Sequence, residues 1–203
     1  MTITIGSTGD SIYLRNTNSG DSHNEVDRFV FADGTVLTSA DLRARLMASL
    51  GAVGADQMYG TGFGDVIDGG LGNDRIDGGQ GNDTLTGGKG DDYLAGSFGD
   101  DTYIFNVGDG HDTISALADL ADVDTLRFSD LNSADVTLSQ DGADLLVLDN
   151  ATGQQVAVTN QLGDGHDDFG IEQIAFADGT VWDRQVEVLP TARKIHTVRC
   201  RAG

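Results

Sequence analysis

Residues 69–95 read GGLGNDRID, GGQGNDTLT and GGKGDDYLA, three nonapeptides that begin at Gly69, Gly78 and Gly87. Each places Gly at positions 1, 2 and 4, Asp at position 6, and Ile or Leu at position 8. Five fixed positions matched three times in succession define a period of nine, the mark of a stacked, solenoid-type architecture. The phase runs outward in weaker form. Gly96 begins GSFGDDTYI, with Ser97 at position 2. Gly60 begins GTGFGDVID, with Thr61 and Phe63 in place of two glycines. Gly51 begins GAVGADQMY, which keeps Gly54 and Asp56.

Positions 7 to 9 predict a short strand with an apolar middle: Val66-Ile67-Asp68, Arg75-Ile76-Asp77, Thr84-Leu85-Thr86. Alternate side chains of a strand face opposite ways. Met58, Ile67, Ile76, Leu85, Leu94 and Tyr103 are therefore expected to line a thin core. Positions 1 to 6 predict a turn, in which glycines admit positive φ and let carbonyls approach one point without a Cβ in the way. Two strand-turns make one flattened coil, so turns on the same edge recur every 18 residues. Asp56, Asp74 and Asp92 fall on one edge, and Asp65, Asp83 and Asp101 on the other. A cation between successive turns would receive a carboxylate from each, with backbone carbonyls drawn from Gly70, Gly72, Gly79, Gly81, Gly88, Gly90 and Gly99. That is an all-oxygen cage, suited to Ca²⁺. Zn²⁺ would want His or Cys, which the repeats lack. Mg²⁺ gives up its waters too reluctantly for a backbone-rich cage.

The composition points the same way. The 203 residues include 30 Asp and 3 Glu against 12 Lys and Arg, for a net charge of -21. A merely solvated acidic surface would use Glu freely, whereas the short, stiff Asp suits tight turns and compact oxygen cages. Such a charge argues against nucleic-acid partners, because phosphate binding needs Lys and Arg. Cys200 is the single cysteine, so stabilisation outside the cell would have to come from something other than an internal disulfide. No apolar run approaches the ~20 residues of a membrane span. Met1–Gly9 is neither basic nor continuously apolar, so no signal peptide is expected there.

The pattern GGxGxDxUx, with U a large apolar residue, resembles the RTX (haemolysin-type) calcium-binding repeats. The resemblance implies a right-handed parallel β-roll that is disordered without calcium and folds on binding it. It also implies a secreted protein, exported by type I secretion into calcium-rich surroundings. Metal-ligand roles carry over to Asp74, Asp83 and Asp92, to Asp65 and Asp101, and more distantly to Asp56, whose turn lacks the second Gly. After the repeats, Gly110, Asp112 and Ile114 restore positions 4, 6 and 8 following a two-residue slip. Asp112 is expected to close the roll and complete a site with Asp92. The expected total is four or five Ca²⁺ ions.

The flanks differ. Residues 122–188 alternate like an antiparallel β region, with candidate strands at Thr125–Phe128, Asp135–Ser139, Asp144–Asp149, Gln155–Thr159 and Ile171–Phe176. IEQIAFADGTVW (Ile171–Trp182) resembles the haemolysin-type calcium-binding-related region that follows such repeats. FADGTV occurs twice, at Phe31–Val36 and Phe176–Val181. Residues 1–36 therefore read as the tail of a preceding module, and neighbouring modules of a longer protein are expected partners. Ser39–Leu50 predicts a short helix, N-capped by Ser39, whose stripe of Leu42, Leu46, Met47 and Leu50 would cover the first coil. The last stretch, 190–203, holds four of the twelve basic residues without any repeat and is expected to be disordered. The division is thus a partial N-terminal flank over 1–50, a roll over 51–114, a β flank over 115–189 and a tail over 190–203, all-β in class.

No GxSxG, HExxH or P-loop pattern is present, and the four His are scattered, with His111 read as a surface residue. The chain is expected to be calcium-binding and not an enzyme. Two alternatives remain: an adhesin or ligand-binding module with purely structural calcium, and the C-terminal module of a secreted hydrolase or toxin.

Overall fold

The computed structural model describes residues 2–5, 10–13, 28–30, 36–38, 53–115, 122–162, 170–188 and 194–201. The helix expected at Ser39–Leu50 lies outside them. Near the N-terminus, β1 (Thr2–Ile5) pairs antiparallel with β2 (Asp10–Tyr13), and β3 (Arg28–Val30) with β4 (Val36–Thr38).

The repeats give seven short strands: β5 (Gln57–Tyr59), β6 (Val66–Asp68), β7 (Arg75–Gln80), β8 (Thr84–Thr86), β9 (Tyr93–Phe98), β10 (Thr102–Phe105) and β11 (His111–Ile114). Consecutive strands alternate between two sheets, and each pairs in parallel with the strand two ahead. Met58 aligns with Ile76, and Ile76 with Leu94. In the other sheet Ile67 aligns with Leu85, and Leu85 with Tyr103. These are spacings of 18, so two nonapeptides make one coil, as the pattern requires. All six side chains are at most 1% exposed. Their neighbours Val66 and Tyr59 point outward, which is the period-two alternation of a one-sided strand.

The parallel register continues past residue 114. β12 (Thr125–Phe128) pairs in parallel with β10, β15 (Gln155–Val158) with β11, and β16 (Gln173–Ala175) with β12. The two core columns thereby extend to Ile114 and Val158 on one sheet and to Leu126 and Ile174 on the other. The antiparallel pairing expected across 122–188 is confined to additions at the edges. The hairpin of β13 (Val136–Asp141) and β14 (Asp144–Asp149) pairs onto β15, and β17 (Val181–Val188) pairs onto β16. Alternation along a strand records which face is buried, not the direction of its partner. Phe105, Phe128, Phe176 and Trp182 form a chain of ring contacts with centroids 5.7, 5.4 and 4.5 Å apart, thickening the core at this end.

The tail expected to be disordered instead contains β18 (Lys194–Arg201), antiparallel to β17. Ile195, Thr197 and Val198 supply β-branched residues suited to a strand. Arg199 stands opposite Asp183, a cross-strand register that favours opposite charges.

Candidate metal centre

The position-6 aspartates form two columns, one on each edge of the roll. In each rung the backbone N–H of one Asp donates to Oδ1 of the Asp one coil ahead. On the first edge Asp56 donates to Asp74 at 2.8 Å, Asp74 to Asp92 at 2.7 Å, and Asp92 to Asp112 at 3.1 Å. On the second Asp65 donates to Asp83 at 2.7 Å, and Asp83 to Asp101 at 2.8 Å. Every candidate aspartate thus lies in one of the two columns, Asp112 at 20 residues from Asp92 instead of 18.

One oxygen of Asp74, Asp83, Asp92, Asp101 and Asp112 is therefore occupied by the fold. Oδ2 of Asp74, Asp83, Asp92 and Asp101 is buried without a hydrogen-bond partner. Burying an acceptor unsatisfied is costly, and for an ionised carboxylate more so. These oxygens lie over the first Gly of their own repeats. A Cβ added at Gly69 would collide with Asp74 Oδ2 and with the Gly87 carbonyl oxygen of the next coil, and one at Gly78 with Asp83 Oδ2. The pattern needs Gly at position 1 because carboxylate and carbonyl oxygens converge there. Positions 2 and 4 need it for another reason: Gly70, Gly79 and Gly88 have φ of 90°, 99° and 94°, and Gly72, Gly81, Gly90 and Gly99 have φ of 123°, 105°, 149° and 114°. Ser97 holds φ 77° at position 2, with its Oγ donating to Asp77 Oδ1 at 2.9 Å.

Asp65 departs from the pattern. Its Oδ2 accepts from the Thr61 N–H at 2.6 Å and from the Thr61 hydroxyl at 2.8 Å. The regular repeats carry Gly, with no hydroxyl, where this turn carries Thr61. Asp65 keeps its place in the column, but its second oxygen is satisfied by the protein.

The sequence reading missed Asp124. It is 1% exposed and accepts the Asp101 N–H on Oδ1 at 3.0 Å, extending the second column by a rung. Its Asp-x-Leu-x context, Asp124-Thr125-Leu126-Arg127, was the available signal. The glycines before it are gone, and it follows Asp101 by 23 residues instead of 18, which hid it. A second, shallower ladder at position 5 was also missed. Asn73 Oδ1 accepts from the Asp91 N–H at 3.2 Å, and Asn82 Oδ1 from the Asp100 N–H at 3.3 Å. Asp109, buried in the closing turn, accepts from the Asn106 N–H and Nδ2 at 2.7 and 3.1 Å.

Electrostatics follow from burial. Removal from water, reinforced by neighbouring carboxylates and offset in part by the ladder hydrogen bonds, pushes Asp83, Asp112 and Asp124 up to about 7 and Asp92 and Asp101 to about 6. Each carboxylate must either hold a proton or meet a cation. Without metal, these folded-state values lie above the ordinary 3.8 of the unfolded chain. The folded form then binds more protons, and its stability, full below about pH 4, is lost as pH rises through 6 to 7. Calcium-free protein is accordingly expected to show more β signal by circular dichroism at pH 5 than at pH 8. A cation held by these oxygens would show the opposite slope, because protons compete for them.

The donor set fits a hard, oxygen-loving cation. Among the described residues no three His, Cys, Asp or Glu side chains gather to hold a metal; the oxygens that do converge are carboxylate and main-chain carbonyl together. Asp74 Oδ2 beside the Gly87 carbonyl is such a combination.

Residues 50–85, 68–103 and 78–114 match the model of the RTX calcium-binding nonapeptide repeat. Residues 1–41 and 144–186 match the haemolysin-type calcium binding protein related domain. No curated protein matches the chain. Among solved structures it is similar to the solution structure of the AlgE6R3 subunit from the Azotobacter vinelandii mannuronan C5-epimerase. That similarity is 26% identity, covering 75% of this chain and 90% of that one, with a TM-score of 0.41.

Proposed function

We propose, for a chain that carries RTX calcium-binding nonapeptide repeats between stretches of the haemolysin-type calcium binding protein related domain, that calcium binding and folding of the roll are one event. The observation that carries this reading is the set of four buried carboxylate oxygens on Asp74, Asp83, Asp92 and Asp101 without a donor. Bound calcium would supply the counter-charge those oxygens lack. The chain's own part is to array them. The Gly-rich turns set the carbonyls, the Asp N–H ladder fixes each carboxylate, and the apolar columns hold the coils in register. One large buried side chain per nonapeptide is a thin core, and glycine-rich turns lose much entropy on ordering. Extracellular calcium modules bind at roughly 10⁻⁴ to 10⁻³ M, which would leave the chain unfolded in a low-calcium cytosol and fold it outside.

RTX repeats are typical of secreted proteins, and type I secretion suits a chain that folds only after export. The same domain model matches both ends of the chain, which supports a tandem arrangement with neighbouring modules in a longer protein. The role read here is structural and not catalytic. Among the described residues of 122–188, Val123 is the one exposed large hydrophobic side chain, so no apolar patch there favours a ligand-binding reading.

Isothermal titration of chelator-treated protein tests the proposal. Uptake of four or five Ca²⁺ per chain at up to millimolar concentration, with Mg²⁺ giving no comparable heat, is the expected result. Failure to take up Ca²⁺ over that range would sink it.

A further inference from the structure

The column Asp65–Asp83–Asp101–Asp124 does not end on an aspartate. Thr125 pairs with Gln173, so the residue aligned with Asp124 one coil on is Glu172. Glu172 divides its oxygens as the aspartates do. Oε2 accepts the Asp124 N–H at 2.8 Å, the ladder role that Oδ1 plays elsewhere. Its Oε1 faces the Arg184 guanidinium, with Nη1 at 3.4 Å. β17 fixes that arginine in place: the Arg184 backbone N–H donates to the Glu172 carbonyl at 2.7 Å, and its side chain is 7% exposed. The other column has no such need. The residue aligned with Asp112 there is Val156, fully buried and uncharged.

We infer that Arg184 is a built-in counter-cation, its guanidinium serving at the last rung the role that a calcium ion serves between the aspartates. A guanidinium suits the task, being permanently charged, planar and less strongly hydrated than an ammonium. The second column is then closed at both ends by protein donors, Thr61 on Asp65 and Arg184 on Glu172. The calcium run is finite, and the C-terminal rung is compensated without metal. This inference rests on the calcium reading above.

The test counts ions. Wild-type protein and the variants Arg184→Gln, Arg184→Lys and Arg184→Gln/Glu172→Gln are titrated with Ca²⁺ after chelation. Removing the guanidinium exposes Glu172 beside Asp124 as a pair of uncompensated carboxylates. Arg184→Gln is therefore expected to bind one more Ca²⁺ per chain than wild type, while the Lys variant and the double variant keep the wild-type number. An unchanged count in a folded Arg184→Gln overturns the inference. Should that variant not fold even in calcium, the double variant decides. If it folds with the wild-type count, charge compensation is the role of Arg184; if it too fails to fold, the arginine acts by packing and the inference is wrong. A wild-type protein that binds no calcium would instead defeat the reading on which the inference rests.

Discussion

Asp83→Asn is expected to act in opposite directions with and without calcium. Asp83 sits mid-column, 1% exposed, with Oδ1 on the Asp65 N–H and Oδ2 without a partner. Asparagine keeps the acceptor for the ladder and replaces the orphaned oxygen by an amide donor. In chelator at pH 8 the variant is relieved of a carboxylate that burial pushes up to about 7. It should retain at least as much β signal as wild type. In calcium the same change removes a charged ligand. The calcium midpoint for folding is expected to rise about tenfold, equivalent to ~1.4 kcal/mol, with at least one ion fewer at saturation. Circular dichroism in chelator from pH 5 to pH 8 and thermal melts in calcium check the two limbs. A shift of the same sign in both solvents would mean that Asp83 is an ordinary packing residue.

Gly90→Ala is expected to be among the most damaging single-methyl changes in the roll. Gly90 holds φ 149°, and an added Cβ would collide with the Gly72 carbonyl oxygen in the coil before it. That atom is backbone, pinned within the stack, and cannot swing away as a side-chain tip would. Strain at such a position costs about 1–3 kcal/mol, and forced overpacking adds about as much again. Gly62→Ala is the matched control. Gly62 has nothing within 4 Å of an added Cβ and needs no positive φ, so its effect is expected to stay within about 0.5 kcal/mol. Urea titration in saturating calcium compares the two. Equal losses would show that glycine serves there through chain entropy alone.

The strict part of the pattern was legible because each of its constraints acts within one nonapeptide or one 18-residue coil. Gly at positions 1, 2 and 4, Asp at 6 and the apolar residue at 8 fix turn, column and core together. Val66-Ile67-Asp68 and Thr84-Leu85-Thr86 fold as the strands their sequence suggests. Legibility failed where the chain keeps the geometry and drops the spelling. Asp124, Val156 and Glu172 take the column positions of later coils, yet no glycine precedes Asp124 or Val156 at the regular spacing, Glu172 keeps only Gly170 at position 4, and their separations are set by insertions. The parallel pairing of β12, β15 and β16 was hidden for a related reason. A residue's own alternation is local, but its partner strand lies 23 or more residues away. Thr61 is the converse case. It looked like a lapse in the repeat, and the structure gives it a specific task, donating twice to Asp65.

The most direct test of calcium-coupled folding is far-UV circular dichroism of chelator-treated protein near pH 8, titrated in parallel with Ca²⁺ and Mg²⁺. The expected result is a cooperative gain of β signal with Ca²⁺ alone, saturating at millimolar concentration and reversed by chelator. A protein that is fully β-structured in chelator and indifferent to Ca²⁺ would contradict the account, because the orphaned oxygens of Asp74, Asp83, Asp92 and Asp101 would then be tolerated without any cation.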